Sequence, residues 1–291
     1  MPYRHRFHAL IVCSLAAPFL AGHGAAAAQE RAAVQTEHWA MAPFLGTGAY
    51  RFDDEETVWV FGFTPRWTLR NPSAEPGTPR RAGIEFLLPS TIGLSQFDLG
   101  NLPGTLDPDN VATLTVVPGV YATLAVNDRW TLLGMAHLGI GARLDGAENA
   151  LIHRLGFRAR YRLGADGRHW NLIAALEQFG YHTDRDRSGR ILPLSLSAEY
   201  EHALEGGAAQ VIVHATATRY LDSLSVSEIG DISASITQDV EIGFAFRRAE
   251  RMRLWRLSWE RIGIAYRHGE DDDGDATFDG IRLYFRSVFD E

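Results

Sequence analysis

From residue 42 onward, apolar and polar side chains alternate with period two, and the i, i+3, i+4 spacing of an amphipathic helix is rare. Residues 151–163 show the pattern most cleanly. Leu151, His153, Leu155, Phe157, Ala159, Tyr161 and Leu163 share one face, and Ile152, Arg154, Gly156, Arg158, Arg160 and Arg162 share the other. Such a segment suits a strand in a sheet with a dry side and a wet side. Trp59, Phe61, Phe63, Trp67 and Leu69 likewise share a face, and Leu192, Leu194, Leu196, Ala198 and Tyr200 oppose Ser195, Ser197, Glu199 and Glu201. Val240, Ile242, Phe244 and Phe246 alternate with Asp239 and Glu241, and Ile281, Leu283, Phe285 and Phe289 with Arg282, Tyr284 and Arg286.

The pattern predicts twelve strands, near 42–52, 57–69, 82–96, 110–126, 129–143, 150–163, 168–182, 190–203, 208–221, 236–248, 252–267 and 277–289. They run to about 10–15 residues, the length of a tilted membrane strand with its overhang, where sandwich strands average about 5–6. In 252–267 the apolar parity switches between Trp255, Leu257, Trp259 and Ile262, Ile264, Tyr266, which calls for a bulge near Glu260-Arg261. Trp59, Trp67, Trp130, Trp170, Tyr161, Tyr200, Phe246 and Phe289 fall near strand ends, as an interfacial girdle requires. The fold expected is all-β, an antiparallel transmembrane β-barrel.

The even-numbered connections include the tight turns 126–129 and 164–167. The odd ones hold Asp53-Asp54-Glu55-Glu56, Gly100–Asn110, Asp184–Gly189, Leu221–Ser235 and Glu270–Asp275. Short turns on one side and longer, charged loops on the other are the asymmetry of an outer-membrane barrel, with both termini periplasmic and the long loops extracellular.

Composition narrows the class. A formal charge of −8 argues against a phosphate-neutralising nucleic-acid binder, and 46% apolar residues argue against disorder. All 28 basic residues are Arg, a compositional bias that points to no particular chemistry. Residues 1–28, with Arg4 and Arg6, an apolar stretch from Ala9 to Ala21 and a Gly24–Ala28 end, read as a cleaved secretory signal peptide. Its removal also takes Cys13, the only cysteine. Residues 29–41 then form a short periplasmic segment, and 42–291 the barrel.

Val117-Pro118-Gly119-Val120-Tyr121, the turn Asn127-Asp128-Arg129-Trp130 with Thr131-Leu132, and Leu138-Gly139-Ile140-Gly141 resemble the solitary outer-membrane autotransporter-like barrel family. These are twelve-stranded barrels without a passenger. The closing strand, with Gly280, Leu283, Phe285 and Phe289, resembles the C-terminal assembly signal of such barrels, although Asp290 and Glu291 follow the last aromatic. The resemblance implies location and fold and carries no reaction. Lipid, lipopolysaccharide and the barrel-assembly machinery are the partners it implies.

The candidate chemistry is a lumen network of Arg154, Arg158, Arg160, Arg162, Glu177, Glu199, Glu201, Asp239 and Glu241. One reading is a narrow pore with a constriction for a small anionic solute. The other is structural: Arg and Glu cross-link the wall and fill the lumen, which the mutual repulsion of crowded arginines favours. The function expected is a non-enzymatic barrel with a structural or surface-interaction role or a narrow pore, with no cofactor and no metal. The alternative is a barrel hydrolase using His182 with Asp184 and Asp186, or His268 with Asp271, Asp272 and Asp273. The acidic run 271–275 lacks full EF-hand spacing.

Overall fold

The computed structural model describes residues 39–52, 56–72, 80–95, 111–144, 148–165, 168–185, 188–204, 208–226, 234–254, 257–274, 277–286 and 289. The signal peptide, most of segment 29–41 and the 100–110 loop lie outside the described residues.

Twelve strands form, in chain order. They are β1 Gly48–Phe52, β2 Glu56–Phe63 with Arg66–Arg70, β3 Gly83–Leu87 with Ser90–Ser95, and β4 Val111–Val116 with Gly119–Ala125. Then come β5 Trp130–Arg143, β6 Asn149–Ala165, β7 Arg168–Thr183, and β8 Ser188–Ile191 with Pro193–Ala203. Last are β9 Ala209–Val226, β10 Ala234–Leu254, β11 Leu257–Glu270 and β12 Thr277–Tyr284. Each pairs antiparallel with its sequence neighbours, and β12 pairs with β1 from Gly48 opposite Arg282 to Phe52 opposite Phe278, so the sheet closes. Closure removes the edges that an open sheet would expose.

Prolines divide the long strands. Pro65, Pro89 and Pro118 stand side by side on β2, β3 and β4, where a residue without an N–H cannot join the ladder. The wall stays stitched across these kinks: Leu88 N donates to Pro65 O (3.0 Å), Val117 N to Pro89 O (2.8 Å) and Leu138 N to Pro118 O (3.0 Å).

The outward faces are apolar. Leu138, Ile140, Leu155, Phe157, Ile242 and Phe244 are all exposed, as are many others on the same parity. Exposed apolar area of this extent is what hydrocarbon, and not water, covers. At the end carrying the 126–129 and 164–167 turns, called lower below, aromatic pairs ring the wall. Ring centroids are 4.8 Å apart for Trp130 and Tyr161, 4.8 Å for Trp170 and Tyr200, and 5.6 Å for Trp67 and Phe86. No described helix is long and apolar enough to cross a membrane.

Four expectations about element bounds are corrected. The first strand begins at Gly48: Pro43 opens a short helix, α1 Ala42–Leu45, and Gly46 ends it at φ 82°, where a side chain would also collide with Arg282. β9 and β10 are longer than the alternation alone suggested, and the expected 221–235 loop contracts to 227–233. The bulge expected near Glu260-Arg261 is replaced by a register shift between Arg247 and Met252 on β10. Met252 faces Trp259 and Leu254 faces Leu257, so residues 252–254 end β10 instead of starting β11, and Trp259 shares the inward parity of Arg261 and Arg267. Finally, β12 ends at Tyr284, and Phe289 lies beyond the strand, inside the barrel.

Candidate functional site

The interior is built in three levels. At the upper end, a 3-10 turn, Trp39–Met41, and α1 fill the lumen. Ala40, Met41, Ala42 and Leu45 are buried against Val60, Val117, Ile152, Tyr181, Ile191, Tyr220, Ile236 and Phe278. Those partners come from strands on every side of the ring, so the segment plugs the full cross-section. Apolar burial of this kind contributes roughly 1.5–3 kcal/mol per large side chain. The Tyr50 hydroxyl donates to Leu45 O and Gly46 O, tying the plug to β1. From below, the Arg267 guanidinium lies 5.6 Å from the Phe44 ring centre.

The middle level holds the ion pairs. Arg154 and Arg158 converge on one carboxylate: Arg154 Nη2 is 2.5 Å from Glu177 Oε2, and Arg158 Nη2 is 2.5 Å from Glu177 Oε1. Arg261 on β11 reaches over to β8, with Nη1 2.7 Å from Glu199 Oε2. Both side chains are almost fully buried, 2% and 0% exposed, so this cross-link is shielded from water. Asn171 donates to Glu199 (3.2 Å) and Glu201 (3.0 Å). Glu201 also meets His169 and Arg247, each at 3.3 Å. Arg267 Nη2 lies 2.9 Å from Asp239 Oδ2, and the Tyr220 hydroxyl donates to the same carboxylate. Glu241 accepts from Arg282 Nη1 at 3.0 Å and lies 2.9 Å from His214 Nε2, whose Nδ1 is 3.2 Å from the Tyr284 hydroxyl.

All five expected carboxylates therefore face inward and are buried. The expected arginine column is only half assembled. Arg154 and Arg158 join Glu177, whereas Arg160 donates to Thr131 Oγ1 and stacks over the Phe289 ring at 4.6 Å. Arg162 is exposed at the lower end, with Nη2 3.3 Å from His169 Nδ1. The real partners of Glu199, Asp239 and Glu241 are Arg261, Arg267 and Arg282, which the sequence reasoning did not select. Arg261 and Arg267 share the parity of Gly263 and Ala265, opposite Ile262, Ile264 and Tyr266. That alternation was present in the sequence but was obscured by the assumed bulge.

At the lower level Phe289 forms a partial floor against one side of the ring. Phe289 packs among Leu87, Tyr121, Leu133, Met135 and Ile173, and its carbonyl accepts from Arg158 Nη1 (3.0 Å). Of the residues expected to form an assembly signal, Gly280, Leu283 and Phe285 lie on or beside β12, whereas Phe289 faces the lumen.

Between plug and floor is a cavity of about 760 Å³. Six arginines and four carboxylates line it, with the hydroxyls of Ser195, Ser197, Thr216 and Thr218 on one side. Ser195 lies 3.0 Å from Thr218, and Thr216 donates to Ser197 at 2.8 Å. The cavity touches both faces of the wall at one place. Phe63, Trp67 and Leu283 point outward, Arg66 and Arg282 inward, and all five line it. β1 starts only at Gly48, and below it no described ladder joins Arg66–Arg70 to the end of β12, whose Tyr284 and Phe285 pair on their other side with Gly263 and Arg261 of β11. The cavity thus continues through the wall between β2 and β12. Arg286 spans this slot, with Nη2 donating to Thr64 O at 2.6 Å.

The candidate hydrolase groups that are described have other surroundings. His182 is exposed, and the Asp184 carboxylate accepts from Asn149 N and Nδ2, bonds that hold its pKa below the usual carboxylate range. Asp186 lies outside the described residues. His268 pairs with Asp279 at 2.9 Å, and Asp272 pairs with Arg219 at 2.8 Å.

No family model matches the sequence, and no curated protein matches it. Among solved structures, the chain is similar to one described as "KdgM porin in complex with disordered oligogalacturonate". The TM-score is 0.38 at 10% identity, over 82% of this chain and 96% of that one.

Proposed function

We propose that this chain is a non-catalytic outer-membrane barrel of porin type, held shut at rest by its own N-terminal segment. The observation that carries the reading is the plug: Ala40, Met41, Ala42 and Leu45 sit inside the ring, buried against strands from all sides. The apolar exterior and the lower aromatic girdle support membrane insertion. The signal peptide and the short 126–129 and 164–167 turns support a periplasmic lower end, with the 184–187 and 271–276 connections outside. Lipopolysaccharide and the assembly machinery are its partners in this reading, with Gly280, Leu283 and Phe285 as the assembly signal. Kinship with passenger-less autotransporter-like barrels rests on the strand number and the short motifs around Val117, Asn127 and Leu138. A small anionic solute would pass only after the plug has moved.

Single-channel recording in a planar bilayer tests this. The refolded chain is expected to insert, shift its gel mobility on heating, and remain silent. Replacing residues 39–45 with a Gly/Ser stretch of equal length is expected to give discrete, anion-favouring steps. Equal conductance of the two proteins would refute the closed state.

A further inference from the structure

We propose that the slot between the lower parts of β2 and β12 is a lateral portal through which the cavity takes a single-chain anionic amphiphile from the membrane. The inference rests on the membrane reading above. Its first support is the lining: residues of both faces of β2 and β12 border one space where no described ladder joins the two strands. The second is the setting of that opening. Its rim is Phe63, Trp67 and Leu283, all exposed, and the neighbouring outward residues Phe61, Leu69 and Ile281 belong to the apolar belt.

Charge sets the ligand class. Among the described lining residues arginines outnumber carboxylates six to four, and Arg282 and Arg286 stand at the slot itself. An acid head would lie against these guanidiniums, which hydrogen-bond carboxylate or phosphate oxygens in pairs. The chain would lie along the rim aromatics. A water-soluble anion would meet the same arginines but would gain nothing from the rim aromatics. The volume of about 760 Å³ falls within the roughly 300–1,000 Å³ of ligand sites.

The test uses the refolded full-length chain in maltoside micelles, with dansyl-undecanoic acid as the probe. Saturable fluorescence enhancement is expected, displaced by palmitate but not by glucuronate, hexadecanol or dodecyltrimethylammonium. Arg286→Gln and Trp67→Glu, each checked for a heat-dependent mobility shift, are expected to weaken binding roughly tenfold or more. Signal identical to that of empty micelles overturns the proposal. So does displacement by glucuronate as effective as by palmitate, or unchanged affinity in both variants. Failure of the membrane reading would appear separately, as loss of the heat-dependent shift and of flotation with lipid vesicles in the unaltered chain.

Discussion

Arg261→Ala is expected to destabilise the barrel by about 3–5 kcal/mol, the cost of removing one partner of a buried ion pair. Arg261 lies 2.7 Å from Glu199, and neither side chain has appreciable contact with water. The substitution leaves a carboxylate that is 0% exposed with only the Asn171 amide as a described donor. It also cuts a link between β8 and β11, strands that are not neighbours in the sheet. Adding Glu199→Gln in the same chain should recover a large part of the loss, because a neutral amide carries no charge to desolvate. Urea unfolding of the vesicle-inserted barrel measures both. A single-variant loss below about 1 kcal/mol would show that water reaches the pair.

Phe244→Arg is expected to cost about 2–4 kcal/mol, the range for an arginine facing lipid at mid-membrane. Phe244 is 60% exposed and stands between Val213 on β9 and Ile264 on β11, themselves outward and apolar. The comparison that makes the result informative is Trp170→Arg, at the lower girdle beside Tyr200. There a long side chain reaches the interface, and the cost is expected to fall to about 0–1 kcal/mol. Equal costs at the two positions would mean that the girdle is not at a membrane boundary.

Much of this fold was legible because a barrel wall obeys one rule along its whole length. Each strand presents alternate residues to lipid and lumen, so Leu155 and Phe157 against Arg154 and Arg158 reveal both faces without any knowledge of the neighbours. The inward placement of Glu177, Glu199, Glu201, Asp239 and Glu241 followed from the same rule. What was not legible is which strands face each other across the lumen. Alternation says that Arg261 and Glu199 both point inward, but only the closed ring brings them to 2.7 Å. The plug was missed because the first strand was extended back to residue 42, although Ala42 and Leu45 fall on opposite parities. The signals against a strand were Pro43, which favours a helix start, and Gly46, which ends one. The β10–β11 hairpin misled because 252–267 was read as one strand, whereas Met252–Leu254 pair back onto Leu257–Trp259. Phe289 looked like one more outward aromatic, and nothing local in the sequence says that the chain leaves the sheet after Tyr284.

The account stands on the two-faced wall, and β9 offers the most direct measurement of it. Ala215 and Ala217 face outward, and Thr216 and Thr218 line the cavity. Single cysteines at these four positions, in a Cys13→Ser background, would carry an environment-sensitive fluorophore in vesicles containing brominated lipid. The prediction is strong quenching at 215 and 217 and weak quenching at 216 and 218. Equal quenching at all four, or none at any, would contradict a membrane barrel with this register.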